Sequence, residues 1–411
     1  MCVKIKRESY LCQLRQLRDT NLIKVVTGMR RVGKSTLLSD FRDELIVSGV
    51  PARRIHFVNF EERQNLRLTD WTALYDEIER ALDARGMNYI FLDEIQMVAH
   101  FERFLDALFV KPNTDIYVTG SNAFLLSGEL ATLLGGRHIS INVLPYSFAE
   151  FALAFPRKNP DALFRAYINS SALPEAVNLA VKASGHVNQY LREVFETVVR
   201  KDIVTRAAIR DMPNFESVTR FALDSTGSFV SARSITNMLN AGRKKGETGI
   251  SHHTVEHYLS HLVGAFVLYR ADRYDIKGRS LLKTQQKYYP VDLGLKNAMS
   301  GTDGALSLGR KLENIVYLEL RRRNLGDIWV GKHDDGEVDF VVQNHAGERR
   351  YYQVAYSAAE TETLMRELRP LRKIKDSHPK ILLTADPDTG IFDGIRKVNV
   401  LEWLAGKNEN V

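Results

Sequence analysis

Gly28-Met29-Arg30-Arg31-Val32-Gly33-Lys34-Ser35 spells G-x-x-x-x-G-K-S, residue types and a spacing that suit the grip of a nucleoside triphosphate. The two glycines let the backbone curl until successive N–H groups converge on phosphate oxygens. Lys34 supplies a point charge toward the β- and γ-phosphates, and Ser35 a hydroxyl for Mg²⁺. The helix opening near Ser35 adds the positive end of its dipole. A second acidic element follows, where the apolar run from Asn88 to Leu92 ends in Asp93 and Glu94. Such runs read as buried parallel strands, and ligands gather at the carboxyl ends of these strands. Asp93 is thereby placed to hold Mg²⁺ through its water shell, and Glu94 to polarise an attacking water. The chemistry would be in-line hydrolysis of a γ-phosphate.

Two further positions carry open alternatives. The run from Asp115 to Asn122 also ends in polar groups. Thr119 or Asn122 there senses a γ-phosphate or positions water, while Ser121 or Asn122 serves equally as a helix N-cap. Arg137, after the Gly135-Gly136 turn, reads either as an arginine finger on a neighbouring subunit's nucleotide or as a solvated surface arginine.

These residues need a scaffold, and the pattern supplies one. Strand candidates at 22–27, 54–60, 88–93, 115–120 and 138–143 alternate with helical segments. That alternation predicts an α/β fold, a three-layer sandwich with a parallel sheet over residues 1–145. Residues 146–210 turn helical, with an apolar stripe over Tyr190–Ile203, and read as a small lid. Residues 211–302 offer a short helix at 231–240 and a second helix capped by Ser251, with Val255, Tyr258, Leu259 and Leu262 on one face. Two hairpin-like runs follow, at 265–274 and 286–291. Helix, turn, capped helix and ribbon read as a winged helix-turn-helix. His253, His257 and His261 fall on one helical face. They admit a metal, a DNA-facing or a plainly solvated reading, with no further ligand of suitable spacing in sight. The basic run Arg243-Lys244-Lys245 reads as solvated loop or as a phosphate contact. Residues 303–411 form another α/β unit, with a helix at 312–320 and strands at 337–342, 350–356 and 381–384.

The chain has 411 residues, 44% hydrophobic and 26% charged, which is an ordinary globular composition with room for two to four domains. No apolar run reaches transmembrane length and the start has no signal-peptide core. Two cysteines give neither a disulfide framework nor a metal cluster, so a reducing cytoplasm is the expected location. A formal net charge of +7 inclines the reading toward a polyanionic partner.

Taken together, the motifs resemble those of a large family of bacterial and archaeal AAA+-type P-loop ATPases. The resemblance rests on Gly28-x-Arg30-Arg31-x-Gly33-Lys34-Ser35, Leu92-Asp93-Glu94-Ile95-Gln96, Thr119-Gly120-Ser121, Gly136-Arg137 and Pro145-Tyr146-Ser147-Phe148-x-Glu150-Phe151. Leu173-Pro174-Glu175, Lys201-Asp202-Ile203, Tyr289-Pro290-Val291-Asp292, Glu337-Val338-Asp339-Phe340 and Gln353-Val354-Ala355-Tyr356-Ser357 extend it over almost the whole chain. It implies ATP and Mg²⁺ at Gly28, Arg30, Arg31, Gly33, Lys34, Ser35, Thr36 and Asp93. It also implies a C-terminal domain of restriction-endonuclease-like, PD-(D/E)XK-type fold. There Glu313 and Asp339 suit two acidic places, whereas Gln353 stands for the third acid and Ala355 for the lysine. A binding or oligomerisation module derived from a nuclease is therefore expected in preference to a working one. The resulting expectation is Mg-dependent ATP hydrolysis coupled to duplex or branched DNA, in a homo-oligomer or ring without a membrane partner. The rival is an ATP-dependent switch whose winged helix binds protein, and a third reading is an ATP-gated, metal-dependent nuclease.

Overall fold

A computed structural model describes residues 4–122, 135–207, 209–241, 249–300, 306–334 and 336–407. The chain divides into two compact units, one built on residues up to Leu144 and the other on residues from Pro145. None of the described helices is long and apolar enough to cross a membrane.

In the first unit five strands, β1 (Ile23–Thr27), β2 (Ile55–Asn59), β3 (Asn88–Asp93), β4 (Thr114–Gly120) and β5 (His138–Asn142), form one sheet in the order β2-β3-β4-β1-β5. All neighbours run parallel. Burial on both faces explains the apolar run of β3 and the mainly apolar β1 and β4, where the buried Lys24 and Asp115 pair with each other. On one face Ile23, Val25, Ile90, Leu92 and Val118 pack with Leu74, Phe104, Leu105 and Leu108. Leu74 lies on α3 (Trp71–Ala81), and the last three on α4 (Phe101–Phe109). On the other face Phe41 of α2 (Lys34–Val47) packs on Phe91 and Tyr117, whose rings stack with centroids 4.9 Å apart. The register sets Thr27 beside Gly120 and Asn59 beside Asp93, so the polar ends of the strands share one edge of the sheet.

Helix α1 (Glu8–Gln16) is clasped to α2 by Arg15, whose Nε and Nη2 donate to Glu44 at 2.9 and 3.0 Å. The Arg15 hydrogen bonds pull the Glu44 carboxyl down from 4.5 to about 2, with Lys6 helping. Because the folded pKa is depressed, the clasp stabilises above about pH 4.5 and its contribution is lost as pH falls toward 2. Arg15 is partly exposed, so screening leaves about 1 kcal/mol. Glu44→Gln is expected to lower the thermal midpoint at pH 7 by about 2–4 °C and to remove this share of the acid-limb slope. Melts of both chains between pH 2.5 and 7 test it, and parallel curves would show the clasp contributes nothing.

The second unit carries a nine-stranded sheet in the order β13-β14-β12-β11-β10-β9-β7-β8-β6. The strands are β6 (Phe229–Val230), β7 (Leu268–Asp275), β8 (Ser280–Pro290), β9 (Asp327–His333), β10 (Gly336–Gln343), β11 (Arg349–Ala355), β12 (Lys380–Thr384), β13 (Gly390–Phe392) and β14 (Ile395–Asn399). Parallel pairing of β7 with β9, Arg273 beside Val330, carries the sheet across the expected 302/303 boundary. Two compact units thus stand where the sequence pattern suggests four. The segment expected as a lid, 146–210, is built into this second unit. Its helices Phe148–Ala154, Pro160–Asn169, Pro174–Lys182 and Val187–Thr197 are α5 to α8, and α8 continues as a π-helical stretch, Val198–Val204. Polar ties explain the grouping. Asp292 accepts from Ala172 N at 2.7 Å, Arg322 donates to Pro145 O at 2.6 Å, and Lys311 to Asn169 Oδ1 at 2.6 Å. Gly294 lies so close to Ser171 that a Cβ would stand 2.3 Å from its backbone nitrogen.

Over 212–290 the order is α9 (Met212–Asp224), β6, α10 (Ala232–Asn240), α11 (His252–Gly264), then the antiparallel pair β7–β8, with β6 antiparallel to β8. The ribbon starts earlier on its second arm than the apolar pattern indicates. Gln285 adopts φ 64°, and the β7–β8 register shifts between Ala271 and Arg273, which breaks the alternation that marks a strand. Helices α12 (Leu293–Ser300), α13 (Leu308–Arg323), α14 (Thr361–Lys373) and α15 (Val400–Leu404) complete the unit.

Candidate functional site

The loop 28–33 leaves β1 at the polar edge of its sheet and enters α2 at Lys34. Gly28 has φ 143°, and a Cβ there would sit 2.3 Å from Val143 O, so only glycine lets β1 turn beneath the segment after β5. Gly33 caps α2 at φ 95°, a left-handed turn that brings the first helical N–H groups to the loop. The Lys34 side chain is almost fully buried. Its ammonium donates to Gly28 O at 3.0 Å and Met29 O at 3.3 Å and lies 3.8 Å from Glu94 Oε1. Arg30 pairs with Glu61 at 3.3 Å, while Arg31 and Thr36 face solvent at the loop and the first turn of α2.

One hydroxyl organises the acids opposite. Thr119 donates to Asp93 Oδ1 at 2.6 Å and accepts from the Glu94 backbone N–H at 2.8 Å. The Ser35 hydroxyl lies close enough to Asp93 to favour its charged form. Burial raises the Asp93 pKa, and the Thr119 and Ser35 hydroxyls offset this only in part. A buried carboxylate beside a serine hydroxyl is an oxygen-only donor set that suits a hard divalent cation. Glu94 is buried with φ 61°, a conformation uncommon outside glycine that turns its carboxylate toward Lys34. The side-chain amide of Gln96 donates to Glu94 Oε2. The sequence pattern gave Gln96 no role, and its signal was only its place two residues beyond the acid.

Thr119, expected with Asn122 as a candidate γ-phosphate sensor, is thus engaged with both acids. Ser121 and Asn122 are buried just after β4, and the helix they would cap lies outside the described residues. Arg137 stands away from this edge. Its carbonyl accepts from Ile23 N at 2.8 Å where β1 and β5 begin, and its guanidinium lies 3.5 Å from Asp106 and over the Phe109 ring.

The second unit holds another carboxylate group. Glu313 on α13 meets Glu337 and Asp339 on β10, with one oxygen of each within 4.8 Å of the others. Gln353 lies beside them, its Oε1 facing the Asp339 N–H at 3.4 Å and its amide donating to Glu367 at 3.2 Å. Glu337 is a further carboxylate of this group, which the sequence pattern did not single out. A lysine lies beside the acids. Lys287 of β8 bonds Glu313 Oε1 at 2.8 Å and pairs with Glu337, while Tyr289 donates to the same Glu313 oxygen at 2.7 Å. Burial works against the charged ammonium, but Glu313, Asp339 and Glu337 outweigh it and raise its pKa. Burial, then repulsion from Glu313, pushes the Asp339 carboxyl far above its ordinary range. The cluster accommodates a cation, and the ammonium of Lys287 meets that demand internally.

The histidines of α11 form no metal group among the described residues. His261 and His257 share a 2.9 Å bond between their Nε2 atoms, and His253 pairs with Glu256 at 3.8 Å. Arg243, Lys244 and Lys245 lie outside the described residues.

Comparison with known proteins sharpens the picture. An AAA domain model matches residues 20–152, and a domain of unknown function, DUF8612, matches 161–306. An uncharacterized protein of Haemophilus influenzae is 39% identical over 409 residues, 97% of this chain and 98% of that protein. The chain belongs to the family of this Haemophilus protein. Its first unit carries the AAA domain. A second uncharacterized member, from Methanocaldococcus jannaschii, is 28% identical over 378 residues, 87% of this chain and 79% of its own length. Among solved structures, a Walker-type ATPase of Pyrococcus abyssi aligns with 72% of this chain and 95% of its own, at 16% identity and a TM-score of 0.48.

Proposed function

We propose that this chain binds ATP with Mg²⁺ at Gly28–Thr36, hydrolyses the γ-phosphate, and couples turnover to DNA. The observation that carries the reading is the bridge at Thr119. One hydroxyl fixes Asp93 and the Glu94 backbone together, 3.8 Å separates Glu94 from the Lys34 ammonium, and the Ser35 hydroxyl stands near Asp93. Backbone N–H groups of the loop, with Lys34, cradle the β- and γ-phosphates. Ser35 and Asp93 are the residues that would hold Mg²⁺, which supplies charge neutralisation between the phosphates. Glu94 takes the proton of the attacking water, with Gln96 holding its carboxylate in place. Arg137, far from its own loop, is assigned to a neighbouring subunit's γ-phosphate, so the working form is a homo-oligomer.

For the DNA half, α10, α11 and the β7–β8 ribbon are read as a winged helix. A cleft of about 890 Å³ lies between them, lined by Arg233, His252, Arg270, Gln285, Gln286 and Tyr288. These are hydrogen-bonding and cationic side chains of the kind that contact phosphates and base edges. Turnover with Mg·ATP alone and with duplex, forked or four-way DNA is the test. Stimulation of several-fold by one of these is expected. Indifference to all of them favours the switch reading, and no turnover in any condition removes the hydrolytic one.

A further inference from the structure

We infer that the tips of two hairpins and the end of α14 form a second, sequence-independent nucleic-acid contact that grips the phosphate backbone. The inference rests on the DNA half of the proposed function. The β7–β8 turn brings Lys277 and Arg279, the β9–β10 turn His333 and Asp334, β11 its first residue Arg349, and the end of α14 Lys373 and Lys375. Together they line a cleft of about 540 Å³. Elements far apart in sequence thus converge on one basic surface, which a solvated charge run on a single helix would not do.

The local acids do not absorb this charge. Asp334 is engaged by Lys277 at 3.4 Å, and Asp376 by Tyr351 at 2.6 Å and Lys380 at 3.2 Å. Arg349 donates to Gln343 at 2.8 Å and lies over the Tyr274 ring. The side chains of Arg279, Lys373 and Lys375 make no hydrogen bond or close ion pair with a described residue, although the charge of Lys373 is felt at Asp334. Among the described lining residues, five permanent cations face two carboxylates, Asp334 and Asp376. Three cations without a close partner around an open cleft are what successive phosphates require, each contact releasing condensed counterions.

The lining also decides what kind of polyanion fits. Its apolar members, Ile276 and Ile374, are buried, so no apolar side chain is offered to a bilayer. It presents no tyrosine, tryptophan or phenylalanine on which a base could stack. A nucleic-acid backbone matches both features, and the contact carries no sequence information.

The test is fluorescence anisotropy of the full chain with two labelled duplexes of about 20 base pairs and unrelated sequence, from 50 to 300 mM salt, as in counterion-release analysis. The triple variant Arg279→Gln, Lys373→Gln, Lys375→Gln is expected to weaken both duplexes alike, by about tenfold or more at low salt. It should reduce the slope of log K against log salt by about 2–3. A thermal midpoint within about 2 °C of the parent shows that these surface changes leave the fold intact. Arg233→Gln with Arg270→Gln, in the other cleft, provides the separation. Where this double variant weakens DNA binding and the triple leaves slope and affinity unchanged, the hairpin-tip contact is overturned and the proposed function stands. Where the parent binds neither duplex at 50 mM salt, the DNA reading and this contact fall together. Binding of phosphatidylglycerol vesicles that the triple abolishes, with DNA unaffected, overturns the choice of partner.

Discussion

Glu94→Gln is expected to bind ATP as tightly as the parent chain and to turn it over about 10²–10⁴-fold more slowly, the range general-base catalysis supplies. The amide keeps the size and planarity of the carboxylate and loses the ability to accept a proton. Without ligand the charge also faces the Lys34 ammonium 3.8 Å away, a partner that bound phosphates replace. The left-handed backbone of Glu94 is set by its own N–H bond to Thr119, and the Asp93 carboxylate accepts from Thr119. The variant should therefore fold and should accumulate with ATP bound. Phosphate release under saturating Mg·ATP gives the first number, and titration with a fluorescent ATP analogue the second. If the variant hydrolyses at the parent rate, Glu94 is not the base, and the water is positioned elsewhere, with Gln96 the next residue to replace.

The nucleotide edge was legible in the sequence because each of its parts is local. Glycine spacing, a lysine beside a serine and an apolar run ending in two acids are read within a dozen residues. The central strands declare themselves because both faces of their sheet are covered, which makes β3 a continuous apolar run and β1 and β4 mainly apolar ones. The second unit hides its organisation in long-range pairings. Nothing near Arg273 or Val330 signals that β7 and β9 will lie parallel and fuse two expected domains into one sheet. The same limit explains Lys287. Read along the chain it is a polar residue in a strand. Only the β7–β8 and β7–β9 pairings bring it to Glu313 and Glu337, some 26 and 50 positions later. Gln353, in the place of the motif where an acid is expected, has partners that the motif does not announce: the Asp339 N–H faces its carbonyl oxygen and Glu367 accepts from its amide. A motif predicts chemistry only where the partners it needs are also within reach, and for the loop at Gly28–Ser35 they are.

Lys34→Ala should abolish turnover and weaken ATP by about 10²-fold or more, the loss expected when a charge-assisted contact to a phosphate is removed from a site closed to water. The structure adds a second reason for the size of the effect. Without ligand the ammonium already braces the loop through Gly28 O and Met29 O, so alanine removes the charge and loosens the curl that aims the N–H groups. Thermal melting separates binding from catalysis here. A ligand present at 100 times its dissociation constant stabilises by about 2.7 kcal/mol, so the parent chain should melt several degrees higher with Mg·ATP. The variant should show no such shift while keeping a cooperative transition of its own. Calorimetric titration checks the affinity directly. If Lys34→Ala gains the same stabilisation from ATP as the parent, the triphosphate is held elsewhere and the assignment of Asp93 and Glu94 fails with it. If the parent itself gains nothing, the loop is a turn between strand and helix that binds no nucleotide. The 3.8 Å between Lys34 and Glu94 then reports a buried ion pair alone.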